Sequence, residues 1–303
     1  MHKDIIVVGA GISGIAAGYN LQKSCPNKSF AILEGRSSLG GTWDLFKYPG
    51  VRSDSDMHTL GFRFKPWIHK KSIADGQSIL EYLNETVDEF KLREKISFNQ
   101  KVISSNWSSD KSIWELKVLN NGNETHMTCN FLFLCGGYYS YDKPFMPKFL
   151  NQEEFQGKLI HPQFWDESMD YSNKKVIVIG SGATAITLVP AIAQKAEHVT
   201  MLQRSPSYVV SGPGEDPGSR CSAPRGHDHG QSGQTPHGIR PKSRGVRLHG
   251  ETSGPFHAHG QDLRGPGRFG RLITGSRTVE DGEAMIFPMD PHSIQHSGDI
   301  DGV

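Results

Sequence analysis

The chain has 303 residues, enough for two domains of ordinary size, and its 33 basic residues against 32 acidic ones give no reason to expect a polyanionic partner such as nucleic acid. Four cysteines, Cys25, Cys129, Cys135 and Cys221, show neither C-x-x-C pairing nor metal-ligand spacing. No structural zinc is expected, and the pattern fits a reducing, cytoplasmic setting.

The first predicted element is Asp4-Ile-Ile-Val-Val-Gly, whose continuous apolar run reads as a buried parallel strand. It runs into Gly9-Ala10-Gly11-Ile12-Ser13-Gly14, a helix follows over Ile15 to Gln22, and Ser29-Phe-Ala-Ile-Leu-Glu34 is the next strand. The uncharged stretch Ile5 to Leu21 superficially resembles a secretion signal. Its four glycines and its turn identify it instead as strand, turn and helix. Glycines at Gly9 and Gly11 let backbone N–H groups approach a pyrophosphate, which sits at a helix N-terminus where unpaired donors and the dipole favour anions.

The same order recurs later. Lys174-Lys-Val-Ile-Val-Ile leads into Gly180-Ser181-Gly182-Ala183-Thr184-Ala185, a helix is predicted over Ile186 to Gln194, and a strand over His198 to Arg204. Counted from the first glycine of each turn, Glu34 lies 25 positions on and Arg204 lies 24 positions on. Both occupy the tip of the second strand, where an acid accepts hydrogen bonds from a ribose diol and an arginine accommodates a 2′-phosphate. The two copies therefore predict one site for FAD and one for NADPH.

Between the copies, Leu39-Gly40-Gly41-Thr42-Trp43-Asp44-Leu45 and Tyr48-Pro49-Gly50-Val51-Arg52-Ser53-Asp54 offer close backbone passage to a flat cofactor. Thr42 and Trp43 are expected along the ribityl chain and ring edge, with Arg52 and Asp54 at the isoalloxazine and nicotinamide; a plain loop ion pair between Arg52 and Asp54 is the alternative. Lys101-Val102-Ile103, Ile113 to Leu119 and Phe131-Leu-Phe-Leu, with Asn120-Asn-Gly as turn, predict a small hairpin inserted before a last buried strand. Val102 would offer its backbone to adenine.

After Ser211 the composition changes. Residues 1 to 211 hold 18 Lys, 5 Arg and every Asn, Trp and Tyr, whereas residues 212 to 303 hold 1 Lys, 9 Arg and none of those three types. Leu, Ile, Val and Phe fill only 14 of those 92 positions, too few to offset ordering entropy, so the segment is expected to be disordered. One shifted reading frame would exchange Lys for Arg and erase Asn, Tyr and Trp together, so the tail reads as an out-of-frame translation. Its histidines, His227, His229, His257 and His259 among them, sit among Gly, Pro and Ser with no periodic scaffold for a metal.

Phe155-Gln-Gly157-Lys-Leu-Ile-His161-Pro-Gln-Phe-Trp165-Asp166 matches F-x-G-x-x-x-H-x-x-x-W-[P/D] at every fixed position, directly before the second turn. On this motif the chain resembles the type I Baeyer–Villiger monooxygenases. Gly40-Gly-Thr-Trp-Asp-Leu, Tyr48 to Met57, Thr59-Leu-Gly-Phe-Arg-Phe and Met201-Leu-Gln-Arg-Ser-Pro-Ser-Tyr resemble their ethionamide-activating branch. The resemblance covers residues 4 to about 211 and implies an α/β fold of two Rossmann-like domains, truncated, with a disordered tail: a FAD domain over 1–150, the linker fingerprint and the start of an NADPH domain over 151–211, and the tail over 212–303.

The resemblance further implies FAD contacts at Gly9, Gly11, Ser13, Gly14, Glu34, Thr42 to Leu45, Asp54 and Val102, and NADPH contacts at Arg52, Ser53, Asp54, Gly180, Ser181, Gly182, Ala183, Thr184, Ala185, Ile186, Arg204 and Ser205. Arg52 and Asp54 would be the catalytic pair, and His161 and Trp165 linker elements that couple domain rotation to nicotinamide position. The implied reaction inserts one oxygen atom of O₂ into a ketone or into thioamide or thioether sulfur through a C4a-peroxyflavin; the alternative is an inactive remnant that binds FAD only. The arginine that stabilises the peroxyflavin in the family has no recognisable counterpart among Arg220 to Arg277. A flavin disulfide reductase would need a cysteine pair near the Gly40 to Asp56 region, and an amine oxidase would need only the first turn. Partners are a small-molecule substrate and O₂, and nothing in the sequence indicates membrane association.

Overall fold

A computed structural model describes residues 1–203, Val209 and two short strands, Phe256–His257 and Ala284–Ile286. Arg204, Ser205, the tail arginines and the tail histidines other than His257 lie outside the described residues.

The first sheet is built on β1 (His2–Val8), whose Ile5, Ile6 and Val7 are buried on both faces, as expected of a central parallel strand. Next to it runs β2 (Phe30–Leu33), in parallel register Ile5↔Phe30 to Val8↔Leu33, and beyond that β3 (Ile96–Ser97). On the other side lie β6 (Asn123–Leu134), β5 (Ile113–Asn120) and β4 (Gln100–Ser108), giving the order β3-β2-β1-β6-β5-β4. The β5–β6 turn places Asn121 at φ 48° and Gly122 at φ 85°, the two positive values that a tight hairpin turn needs and that Asn-Gly supplies.

One expectation is corrected here. The hairpin is not separate from the last strand: β6 is one continuous strand that pairs antiparallel with β5 and, over residues 128–134, parallel with β1. Nor is its C-terminal half buried. The register Ile5↔Phe131 and Val7↔Phe133 puts both phenylalanines on the face where Ile5 and Val7 meet the helices, yet Phe131 is 64% and Phe133 43% exposed. An apolar strand is buried only where another element covers it, and α1 (Ile12–Ser24) and α4 (Gly76–Glu89) cover the β1–β2 side of this face.

α4 buries Ile79, Tyr82, Leu83, Thr86 and Val87, a stripe at helical spacing. Each large apolar side chain removed from water there contributes roughly 1.5–3 kcal/mol. Asp75 caps the helix by accepting from the Ser78 N–H at 2.9 Å. Partial burial of the Asp75 carboxyl is outweighed by the Lys71 ammonium and the Ser78 donors, which draw its pKa down to about 2. Because the folded-state value lies below the ordinary 3.8, this contribution is present above that pH and is lost as pH falls through about 2. Asp75→Ala is expected to lower the unfolding free energy by about 1 kcal/mol at neutral pH. In urea titrations the gap to wild type should close towards pH 2.

The second sheet has the order β10-β9-β8-β11-β7, all parallel: β7 (Lys158–Ile160), β8 (Lys175–Ile179), β9 (His198–Leu202), β10 (Phe256–His257) and β11 (Ala284–Ile286). Two short pieces of the compositionally distinct tail are thus strands of this sheet. Its core joins Val176 and Val178 to α5 (Ala183–Ile192), with Phe46, Tyr48 and Trp165 packed in from outside the sheet. Short helices α2 (Thr42–Leu45) and α3 (Met57–Leu60) lie in the connection between β2 and α4.

Candidate functional site

The two glycine turns are near copies of each other in backbone geometry. Gly9 stands at φ 101° and Gly180 at φ 124°, a left-handed region that favours glycine. The Gly9 N–H donates to the Leu33 carbonyl at 2.7 Å, and the Gly180 N–H donates to the Leu202 carbonyl at the same distance. Gly11 and Gly182 cap their helices in extended conformation, φ −79° and −74°, and neither cap is closed by a side-chain hydrogen bond. Among the described residues neither helix end is capped by a side chain, which leaves N-terminal donors suited to a phosphate. Gly14 serves close packing: a Cβ there would lie 1.9 Å from the Gly9 carbonyl oxygen.

In front of the first turn opens a cavity of about 260 Å³. Of the predicted residues, Gly9, Gly11, Ser13, Glu34, Thr42, Trp43 and Val102 line it. Glu34 is buried, and its carboxylate is fixed by two backbone donors: Ala10 N–H to Oε2 at 2.8 Å and Arg36 N–H to Oε1 at 3.0 Å. Both oxygens retain lone pairs for further donors, as recognition of a diol requires. The glycine-lined cavity, the helix end without a side-chain cap and the fixed carboxylate together fit the adenosine and pyrophosphate part of a dinucleotide.

Other predicted residues are placed differently. Asp44 has its carboxylate committed to Arg36 at 2.6 Å and Ser38 at 2.5 Å, and Leu45 packs against the second core. Neither lines the cavity. Arg52 makes an antiparallel bridge with Asp75, and Ser53 is buried, with its hydroxyl accepting from the Ala74 N–H at 3.1 Å. Asp54 has a raised pKa, pushed up by burial and partly offset by the Arg52 charge. Arg52, Ser53 and Asp54 thus stand away from the first cavity, because the chain after Tyr48 turns back to pair with the start of α4. Asp54 is instead close enough to Tyr48 and Tyr139 to raise both phenol pKa values, although burial is the larger cause. Tyr48 also meets Thr184 and Thr187 on α5, just past the second turn.

Among the cavity residues that no motif singled out are Arg36, Lys101, Tyr141 and Asp142. Arg36 and Lys101 were visible only as charges beside recognised residues, and Tyr141 and Asp142 come from an irregular segment after β6.

In the linker fingerprint, His161 is buried, and its Nδ1 accepts from the Gln163 N–H at 3.2 Å, which leaves the ring proton on Nε2. Burial holds its pKa at about 4. The unfolded chain protonates below about 6.5 while the folded one resists, so stability should fall as pH drops between those values, by up to about 3 kcal/mol. His161→Gln is expected to flatten that slope in pH-dependent denaturation. Trp165 meets Tyr171 edge to face at 6.0 Å within the second core. A neutral, buried imidazole suits a linker role better than proton transfer at neutral pH. No described helix is long and apolar enough to cross a membrane.

Residues 7–70 match the NAD(P)-binding Rossmann-like domain, and residues 66–218 match the flavin-binding monooxygenase-like family. The chain is 56% identical over 216 residues to the FAD-containing monooxygenase EthA of Mycobacterium tuberculosis, covering 71% of this chain and 44% of that protein. It superposes on the open crystal structure of cyclohexanone monooxygenase with a TM-score of 0.62 at 28% identity, covering 69% of this chain and 41% of the other. For oxidized steroid monooxygenase bound to NADP the TM-score is 0.60 at 30% identity, with 69% and 40% covered. The chain spans less than half the length of the curated relatives it matches. With half of its residues inside the family's boundaries, the chain belongs to the flavin-binding monooxygenase-like family.

Proposed function

We propose that this chain is the FAD-holding portion, with the first part of the NADPH domain, of a monooxygenase that places one oxygen atom of O₂ into ketones or into thioamide or thioether sulfur. The observation that carries the reading is the repeated turn, whose first copy ends in the buried carboxylate of Glu34. Gly9, Gly11, Ser13 and Gly14 would seat the FAD pyrophosphate, Glu34 the ribose diol, Thr42 and Trp43 the approach to the ring system, and the Val102 backbone the adenine. Gly180 to Ile186 would seat the second pyrophosphate, with Arg204 and Ser205 on the 2′-phosphate and Arg52 to Asp54 between the cofactors. Bound flavin would supply electron transfer from NADPH and activation of O₂. The protein's part is to orient both nucleotides, exclude water and keep His161 and Trp165 as uncharged linker elements.

A second reading, a remnant that binds FAD but does not oxygenate, is favoured by the uncovered Phe131 and Phe133 of β6. On this reading residues 212–303 are out of frame and do not supply the rest of the protein. The purified chain is then expected to take up FAD yet to show no NADPH-dependent oxygenation of phenylacetone or a thioether. Detectable product would overturn the second reading, and a chain that is folded but colourless with FAD would overturn both. Sequencing the coding DNA across codons 205–220 in independent isolates checks the frame directly.

A further inference from the structure

The segment after β6 contributes Tyr141 and Asp142 to the lining of the first cavity and is fastened at three points. Tyr141 lies with its ring 5.6 Å from the Arg36 guanidinium carbon, and both side chains line the cavity. Arg36 is itself held by Asp44 at 2.6 Å and by the Gly41 carbonyl at 3.4 Å, so the ring rests on a fixed cation and not on a mobile one. One residue on, Asp142 pairs with Lys101 of β4 at 2.5 Å, across the cavity edge. One residue before, the Ser140 carbonyl accepts from the Gln163 side-chain amide at 2.6 Å. Gln163 is 2% exposed, lies two residues from His161, and has its other amide atom, Oε1, buried without a hydrogen-bond partner among the described residues.

We propose that Ser140–Asp142 is a strap over the first dinucleotide pocket: the Tyr141–Arg36 pair is the wall against which the purine of the adenosine half stacks, the Lys101–Asp142 pair is the latch, and Gln163 is the positioning residue that ties the strap to the interdomain linker. This rests on the reading of the pocket as a dinucleotide site and adds which residues grip the base. The chemistry suits a purine, because a flat aromatic ring on a guanidinium offers a π surface beside the carboxylate that takes the sugar. An exposed ion pair is weak, so the latch should tune the rate of escape and not decide whether binding occurs.

The test uses the full 303-residue chain, with FAD and ADP as probes, and reads the dissociation rate by recovery of flavin fluorescence and the affinity by calorimetry. Tyr141→Ala should raise the FAD dissociation rate about tenfold and weaken ADP to a similar degree, whereas Tyr141→Phe should behave as wild type. Tyr141→Leu, which keeps the packing volume, should follow Tyr141→Ala; thermal unfolding midpoints equal to wild type would show that the fold is intact. Asp142→Asn and Lys101→Met should each raise the rate about two- to fivefold, with no further rise in the double variant. Gln163→Leu should raise it without altering the Tyr141→Phe result. Wild-type rates in Tyr141→Leu and Asp142→Asn, with FAD and ADP both bound, would overturn the strap and leave the pocket reading standing. A wild-type chain that takes neither probe would overturn the pocket reading and the strap with it.

Discussion

Alanine at Gly14 is expected to abolish FAD uptake and to destabilise the chain by about 3 kcal/mol or more, because the intruding atom meets backbone and not a side chain that could swing away. The added Cβ would sit 1.9 Å from the Gly9 carbonyl oxygen and 3.0 Å from its carbon. Relief requires α1 to move off β1, which separates the helix N-terminus from the strand that aims it. Urea midpoints and retained flavin absorbance after gel filtration measure the two effects together. Ser13→Ala, at an exposed neighbour on the same turn, should leave the midpoint within about 0.5 kcal/mol. A Gly14→Ala chain with normal flavin content would mean that the turn does not carry the site.

The second large effect concerns Glu34. Glu34→Ala removes the acceptor of two backbone N–H groups, those of Ala10 and Arg36, in a place that is only 6% exposed. Each donor left unpaired costs about 1–3 kcal/mol, and the diol acceptor is lost as well, so FAD affinity should fall about 100-fold. Glu34→Gln keeps one acceptor but turns an amide N–H₂ towards a donor, and an intermediate loss is expected. A further consequence separates electrostatics from packing: without the carboxylate, a nucleotide bearing a 2′-phosphate should no longer be disfavoured relative to ADP. Calorimetric titration of ADP and its 2′-phosphorylated form into wild type and Glu34→Ala reads this directly.

How much of this was legible in the sequence depends on how local each feature is. Gly9, Gly11, Ser13 and Glu34 are set by one strand, one turn and the next strand, and those short-range rules place all four at the cavity. The Asn120-Asn-Gly turn was equally legible, because positive φ at two successive positions selects that chemistry. Arg36 and Tyr141 meet across 105 positions of chain, and no spacing rule announces such a pair. Asp44 is expected at FAD only through the family resemblance; its carboxylate is bonded to Arg36 and Ser38, a pairing that lies outside any motif. The backbone of Arg52 and Ser53 pairs with Asp75 and Ala74 at the start of α4, a long-range contact that no spacing in the sequence announces. That helix carries its own signal, an Asp75 cap and the Ile79, Leu83, Val87 repeat, which a reading centred on glycine motifs passes over. Phe131 to Leu134 show the limit most clearly. An apolar run states that a strand needs cover, and the cover must come from elsewhere in the polypeptide.

The most direct measurement of the central claim is the FAD content of the purified 303-residue chain, by absorbance and protein mass after gel filtration with added FAD. One flavin per folded chain, displaced by ADP in competition and lost in Glu34→Ala, is the predicted result. A chain that is folded by circular dichroism yet elutes without flavin would contradict the assignment of the first glycine turn and Glu34 to a dinucleotide.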